Sequence, residues 1–286
     1  MDTQIKNGRL EEYKKNITSQ QGEDGIIAEI FRRMGAENKW CVEFGALNGT
    51  HHSNTWNLIM QEGWSGVLIE ADPTYAEKLQ GVYKDTPRAH CFNEFIEFEG
   101  EHSLDAILAR TSIPRDFDLL SVDIDGNDYH VWDSLSQYRP RLVIIEFNQT
   151  IPNDISFVQP RDRSVQQGSS LLALVELGRK KGYRLAAVAG VNAFFALDEL
   201  FSKLGIDDVS IDEMNSDTSY YTRLFQLYDG TLVLDGYKKL FWHNVPIKQE
   251  DIQVLPAYAR IYPSGVSSKW IVRTIKYYIR TLSAKV

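Results

Sequence analysis

Three carboxylates crowd the run Asp123-Ile124-Asp125-Gly126-Asn127-Asp128. Hard oxygen ligands at this density suit Mg2+, Mn2+ or Ca2+, and a carboxylate here can also act as a base toward a hydroxyl. Asp and Gly also shape turns, and their carboxylates can simply bind loop amides, so both readings stand open at this point. The run resembles part of a calcium loop, but the bidentate Glu expected further on is absent, Ser134 standing there after Asp133. Glu146 and Asn148 follow the next apolar run and extend the oxygen set, giving a metal candidate of Asp123, Glu146 and Asn148. Among the six histidines, His51, His52 and His130 lie near these segments. His51 and His130 are candidate catalytic groups beside Asp123 and Asp125, although a lone histidine is more often a satisfied or solvated side chain.

A second feature is the loop Glu43-Phe44-Gly45-Ala46-Leu47-Asn48-Gly49-Thr50. A strand that ends in glycines and feeds a helix offers backbone N–H groups and close approach to a ligand. The spacing is not the dinucleotide fingerprint G-x-G-x-x-G, and a carboxylate precedes the first glycine. A pyrophosphate would not welcome Glu43, whereas a ligand carrying an ammonium group would. Glu70 lies roughly two dozen residues on, where α/β nucleotide sites place an acid against ribose hydroxyls. Together they favour an adenosine-type ligand over a mere tight turn.

These residues need elements to hold them at one edge of a sheet. Apolar runs at Trp40–Phe44, Gly66–Glu70, Ala89–Phe92, Phe117–Val122 and Arg141–Glu146 read as strands. Helical patterns at Gly25–Met34, Ser53–Gln61, Pro73 to about Val82, Ser103–Arg110 and Ser170–Lys181 alternate with them. Asp24 sits where an N-cap would. This is the rhythm of a doubly wound α/β fold with a mostly parallel sheet, whose ligands bind outside the carboxyl ends of the strands. Tyr183–Val188 continues the pattern, and Asn192–Leu197 reads as a returning edge strand. The polar segment Ile151–Ser170 reads as a loop or lid. Residues 1–18 form a polar leader to a domain over 19–202, and 203–286 a C-terminal extension with turn signals at Asp229-Gly230 and Asp235-Gly236. It ends in a basic amphipathic helix from Lys269 to Lys285, with Lys269, Arg273, Lys276 and Arg280 opposite Ile271, Ile275, Ile279 and Leu282. That helix has three readings: packing on the domain, contact with anionic lipids, or binding a partner, of which packing is the most frequent.

Bulk properties exclude several classes. A chain of 286 residues, 43% hydrophobic, buries a core without disulfides or a structural metal. A net charge of −8 argues against broad phosphate binding to nucleic acid. No apolar run approaches the ~20 residues of a membrane span, and the first fifteen residues lack an apolar signal core. Cys41 and Cys91 read as inert strand thiols, and a soluble cytoplasmic protein is the expectation.

Taken together, five ordered blocks resemble the FkbM-type S-adenosylmethionine-dependent methyltransferases of class I. They are Ser19–Gly25, Val42–Ala46 with Gly49 and Ser53-Asn54-Thr55, Gly63–Pro73, Asp116–Tyr129, and Gly168–Leu171 with Asn192–Phe195. The resemblance implies a Rossmann-like seven-stranded sheet with a reversed last hairpin, the donor lying across the first two strands. It implies a donor pocket drawn from Gln21, Glu23, Asp24, Ser53, Asn54 and Ala71 beside the loop residues Ala46 and Gly49. Glu43 and Gly45 would hold the methionine portion and Glu70 the ribose. Glu97 and Phe98 would border the adenine, with Asp123 by the transferring methyl. The doubled His51-His52 and the long extension depart from the pattern, both where acceptor choice could be made. The reaction this implies is O-methylation of a hydroxyl on a sugar, nucleotide-sugar or related natural product, with S-adenosyl-L-methionine as cofactor and Mg2+ or Mn2+ as an option. The partner is a small-molecule acceptor, and a homo-oligomer is left open. The rivals are an NAD(P)-dependent oxidoreductase on a similar sheet and a donor-binding module without turnover.

Overall fold

The computed structural model describes residues 8–207, 210–262 and 268–283. The chain divides into two units, Met1–Ser216 and Asp217–Val286.

The first unit is built on seven strands: β1 (Trp40–Phe44), β2 (Ser65–Glu70), β3 (Ala89–Asn93), β4 (Leu119–Val122), β5 (Leu142–Glu146), β6 (Tyr183–Ala189) and β7 (Asn192–Leu197). Their order is β3-β2-β1-β4-β5-β7-β6, all parallel except β7, which runs against both neighbours. The doubly wound, mostly parallel seven-stranded sheet with a reversed last hairpin is therefore present. The position of the seventh run differs from expectation: Asn192–Leu197 is not an edge strand but lies between β5 and β6, and β6 forms the edge. All six β7 residues are buried, including Phe194 and Phe195, which suits an interior position.

Alternate strand residues feed opposite layers. Val42, Phe44, Leu120, Val122, Val143, Ile145 and Phe195 join one apolar cluster with Leu174 and Trp132, from the helices α6 (Leu171–Lys181) and α5 (Asp128–Ser134). Cys41, Leu68, Leu119, Leu142, Ile144 and Phe194 join the other, with Ile26, Ile27 and Ile30 of α1 (Glu23–Met34). Helices α2 (Trp56–Met60), α3 (Pro73–Tyr83) and α4 (Leu104–Leu108) complete the layers, and the short α7 (Asp198–Phe201) and α8 (Ile211–Met214) follow the sheet. Cys41 and Cys91 are free, and burial pushes both thiols up, Cys91 to about 11, so neither is a thiolate at neutral pH.

Two local departures have clear causes. The expected helix over Ser53–Gln61 begins only at Trp56, because Ser53, Asn54 and Thr55 turn aside to Glu43. Asp24 does not cap α1: the helix starts at Glu23, and Asp24 Oδ2 gathers the amides of Ile17, Thr18 and Ser19 at 2.7–2.9 Å.

In the second unit, β8 (Thr222–Gln226) and β9 (Leu232–Gly236) form a hairpin around Asp229-Gly230, while Asp235-Gly236, expected as a turn, ends β9. Strands β10 (Lys239–Leu240) and β11 (Val245–Pro246) pair antiparallel. Helix α9 spans Ser268–Ser283, and the side chains of Lys269, Leu282 and Lys285 lie outside the described residues.

Candidate functional site

Parallel strands bring the ends of β1, β2, β4 and β5 to one edge of the sheet. The reversed β7 delivers its first residue to the same edge, with Asn192 in register with Glu146. The crevice is therefore assembled from four carboxyl ends and one amino end.

Gly45, with φ 78°, turns the chain off β1 against β4. A Cβ there would overlap the Asp123 carbonyl oxygen, so only glycine permits the approach. Gly49 is tight in the same way against Leu79 and Tyr83, and Tyr83 Oη donates to its carbonyl. Glu70 braces this loop: Oε2 accepts the Leu47 amide and Oε1 the Asp72 amide, both at 2.8 Å. Leu47 pays for its place with φ 46°, a left-handed conformation costly for a branched residue.

Glu43 is buried at the end of β1. Ser53 Oγ and Thr55 Oγ1 donate to Oε2 at 2.6 and 2.8 Å, and the Asn54 amide to Oε1 at 2.6 Å. Burial pushes its carboxyl up to about 7 against the pull of these three donors. Asn54 is itself buried. Its Nδ2 donates to Ser121 Oγ, and its Oδ1 has no partner among the described residues.

The acid run ends β4 in a tight turn. Asp128 accepts the amides of Ile124 and Gly126, both at 2.9 Å, and so holds the turn together from the first residue of α5. Oxygens of Asp123, Asp125 and Glu146 lie within 4.8 Å of one another. Burial, then repulsion from Asp125 and Glu23, raises Asp123 to about 6. Burial, then Asp123, raises Asp128 to about 7, and burial with the surrounding carboxylates raises Glu146 to about 10. Near neutral pH Glu146 keeps its proton and shares it in a hydrogen bond with Asp123. Glu23, fully buried, accepts from Asn192 Nδ2 at 2.9 Å, and Asn192 Oδ1 has no partner among the described residues.

Other residues singled out from sequence fall into different surroundings. Gln21 lies against Gly190, its amide N–H donating to Glu23. Ala46 is buried and Ala71 exposed. His51 and His52 stack on each other at 3.7 Å in an exposed turn. His130 is turned away from the acids: Nε2 donates to the Gln159 carbonyl at 2.8 Å, with Phe98 and Tyr129 edge-on to its ring. Asn148 Oδ1 accepts both the amide and hydroxyl of Thr150, and Nδ2 donates to Gln167, while Asp125 stands with Asp123 and Glu146 in the acid group.

Gln159 organises the segment expected as a lid. Almost fully buried, it accepts the amides of Gln167 and Gly168 at Oε1 and donates to Val165. Arg163 pairs with Glu97 at 2.6 Å and lies over Phe95, while Arg161 pairs with Glu99 and lies over Phe98. The segment thus closes on the loop carrying Glu97 and Phe98. Asn192 and Gln159 were not among the site candidates drawn from the sequence. Asn192 reaches this edge because β7 is inserted beside β5.

Residues 96–185 match the family model described as the methyltransferase FkbM domain, which bears out the resemblance carried by the motifs. No curated protein matches the sequence. Among solved structures the chain is similar to an O-methyltransferase from Bacillus cereus in complex with SAH, at 16% identity and TM-score 0.42, covering 64% of this chain and 82% of that one. It is also similar to an S-adenosylmethionine-dependent methyltransferase from Clostridium acetobutylicum, at 9% identity and TM-score 0.37, covering 60% and 89%. A third is the mitomycin 7-O-methyltransferase MmcR, at 15% identity and TM-score 0.33. The match covers 59% of this chain and 52%, about half, of that protein's length.

Proposed function

We propose that this chain, an FkbM-type class I methyltransferase by its motifs, its family-model match and its sheet, transfers a methyl group from S-adenosyl-L-methionine to a hydroxyl of a sugar, nucleotide-sugar or related natural product. The observation that carries the reading is the glycine turn of Gly45 set between two buried carboxylates, Glu43 and Glu70. The unpartnered, buried Asn54 Oδ1 beside Glu43 is an acceptor awaiting a donor, which fits an ammonium-bearing ligand. Glu43 would orient that acceptor through the Ser53–Thr55 turn. Glu70 would offer its remaining lone pairs to ribose hydroxyls while holding Leu47 and Asp72.

When bound, S-adenosylmethionine supplies a methyl group already activated on a sulfonium, displaced in line. The protein's own task is to place a hydroxyl and accept its proton. Asp123, held near pKa 6 and still largely ionised at neutral pH, is the base we assign. Glu146 and Asp125 set its basicity. The same oxygens of Asp123, Asp125 and Glu146 would hold Mg2+ or Mn2+, which would relieve their mutual repulsion and lower the hydroxyl pKa.

A thermal-shift panel tests the donor. S-adenosylmethionine and S-adenosylhomocysteine should raise Tm while NAD and NADP leave it unmoved. A shift with the nicotinamide cofactors alone would overturn the reading. Methyl transfer assayed before and after thorough chelation tests the cation, and unchanged rates would remove it from the mechanism.

A further inference from the structure

The second unit holds a helix, α9, whose described aliphatic side chains are exposed. In α9, Ile271, Val272, Ile275 and Ile279 are 42, 49, 52 and 60% exposed. Ile271, Ile275 and Ile279 recur every four residues, so they form one stripe, with Val272 along its border. Arg273, Lys276 and Arg280 lie around the helix from that stripe, and Arg280 reaches the Tyr258 hydroxyl at 3.5 Å. The helix sequence holds four basic residues and no acid, in a chain whose net charge is −8.

We propose that α9 is an in-plane anchor that lays the protein on a bilayer surface bearing anionic headgroups. Charge selects this occupant. A positively charged, acid-free helix within an acidic chain is complementary to an anionic surface. A second copy would bring one basic helix against another. A nucleic acid would match the charge but leave the isoleucine stripe in water. A bilayer interface satisfies both sides at once, because apolar side chains enter the acyl boundary while lysine and arginine stay at the headgroups. Length decides the orientation. Sixteen residues rise about 24 Å, short of the roughly 30 Å hydrocarbon core, and the charges forbid burial. No helix among the described residues is long and apolar enough to cross a membrane. The same unit also exposes Trp242 and Tyr262 at 66% and Tyr228 at 88%, residue types that favour the headgroup level.

The test is co-sedimentation of the full chain with vesicles of phosphatidylcholine alone or of equal parts phosphatidylcholine and phosphatidylserine. Binding to the anionic vesicles that falls with added salt, with none to the neutral ones, is the expected result. The double variant Arg273→Gln/Lys276→Gln should bind roughly thirtyfold more weakly, about fivefold for each positive charge removed. Ile275→Asp should abolish binding without changing the thermal unfolding of the chain. Absence of binding to anionic vesicles, equal binding to neutral ones, or wild-type binding by Ile275→Asp would overturn the proposal. So would a dimer in vesicle-free sedimentation that Ile275→Asp dissolves, because the stripe would then belong to a second copy. Vesicle binding is read without turnover, so the outcome is separate from that of the methyl-transfer reading.

Discussion

Glu43 shows how one side chain can serve shape and electrostatics together. Its carboxylate draws Ser53, Asn54 and Thr55 out of the helix they would otherwise start, and thereby aims the Asn54 oxygen. The cost is a buried acid whose pKa in the folded chain lies near 7, above its ordinary 4.5. An acid raised on folding holds its proton more tightly in the native state. Its contribution to stability is therefore complete below about 4.5 and is lost as pH rises to about 7. Glu43→Gln keeps much of the shape and cannot ionise. Urea unfolding between pH 4.5 and 7.5 should show the wild type losing up to about 3 kcal/mol that the variant does not lose. Parallel curves for the two proteins would show that Glu43 does not titrate in this window.

At the scale of elements, Gln159 ties together the stretch of the lid around residues 159–169, with Asn127, His130 and Asn148 binding it from outside. Gln159 joins five chain positions, two through Oε1, one through Nε2, one through its own amide to Ser169 Oγ, and one through its own carbonyl, where His130 donates. The arginine pairs with Glu97 and Glu99 are half exposed and contribute little by comparison. Gln159→Ala should therefore loosen the stretch around residues 165–168, accelerating amide exchange at Gln167 and Gly168 by the equivalent of about 1–3 kcal/mol. The amides of β4 and β5 should keep their protection. Arg163→Ala should leave the same amides nearly unchanged. Unchanged exchange in the Gln159 variant would mean the lid is held from elsewhere.

Across the whole molecule, the parts that fold by apolar pattern were the parts legible in the sequence. The five parallel runs read correctly because a strand covered on both faces is a short, nearly continuous apolar stretch bounded by turns, and the glycine loop and acid run follow from where such strands end. The inserted β7 was misplaced because its composition, Asn-Ala-Phe-Phe-Ala-Leu, carries no mark of its neighbours. His130 donates to the Gln159 carbonyl and Asn148 to the Gln167 carbonyl, contacts with the lid that no run in the sequence announces. The second unit was the least legible. Its β8 is exposed throughout, so no hydrophobic alternation announces it. Both apolar clusters are composed of residues no later than Met214. A chain ending at Ser216 should thus keep the seven-stranded sheet, with a single cooperative melt within a few degrees of the full chain. A molten near-ultraviolet spectrum for that shorter chain would contradict this.

The latch between Glu23 and Asn192, and its companion from Arg33 to the Leu204 carbonyl, span 169 and 171 residues. During synthesis the amino-terminal helix therefore leaves the ribosome long before either partner exists. At ordinary elongation rates the delay is on the order of ten to thirty seconds. For that interval Ile26, Ile27 and Ile30 lack the Phe194 and Leu204 side of their final cluster. The docking of α1 onto β7 must therefore wait until nearly the whole sheet has been made.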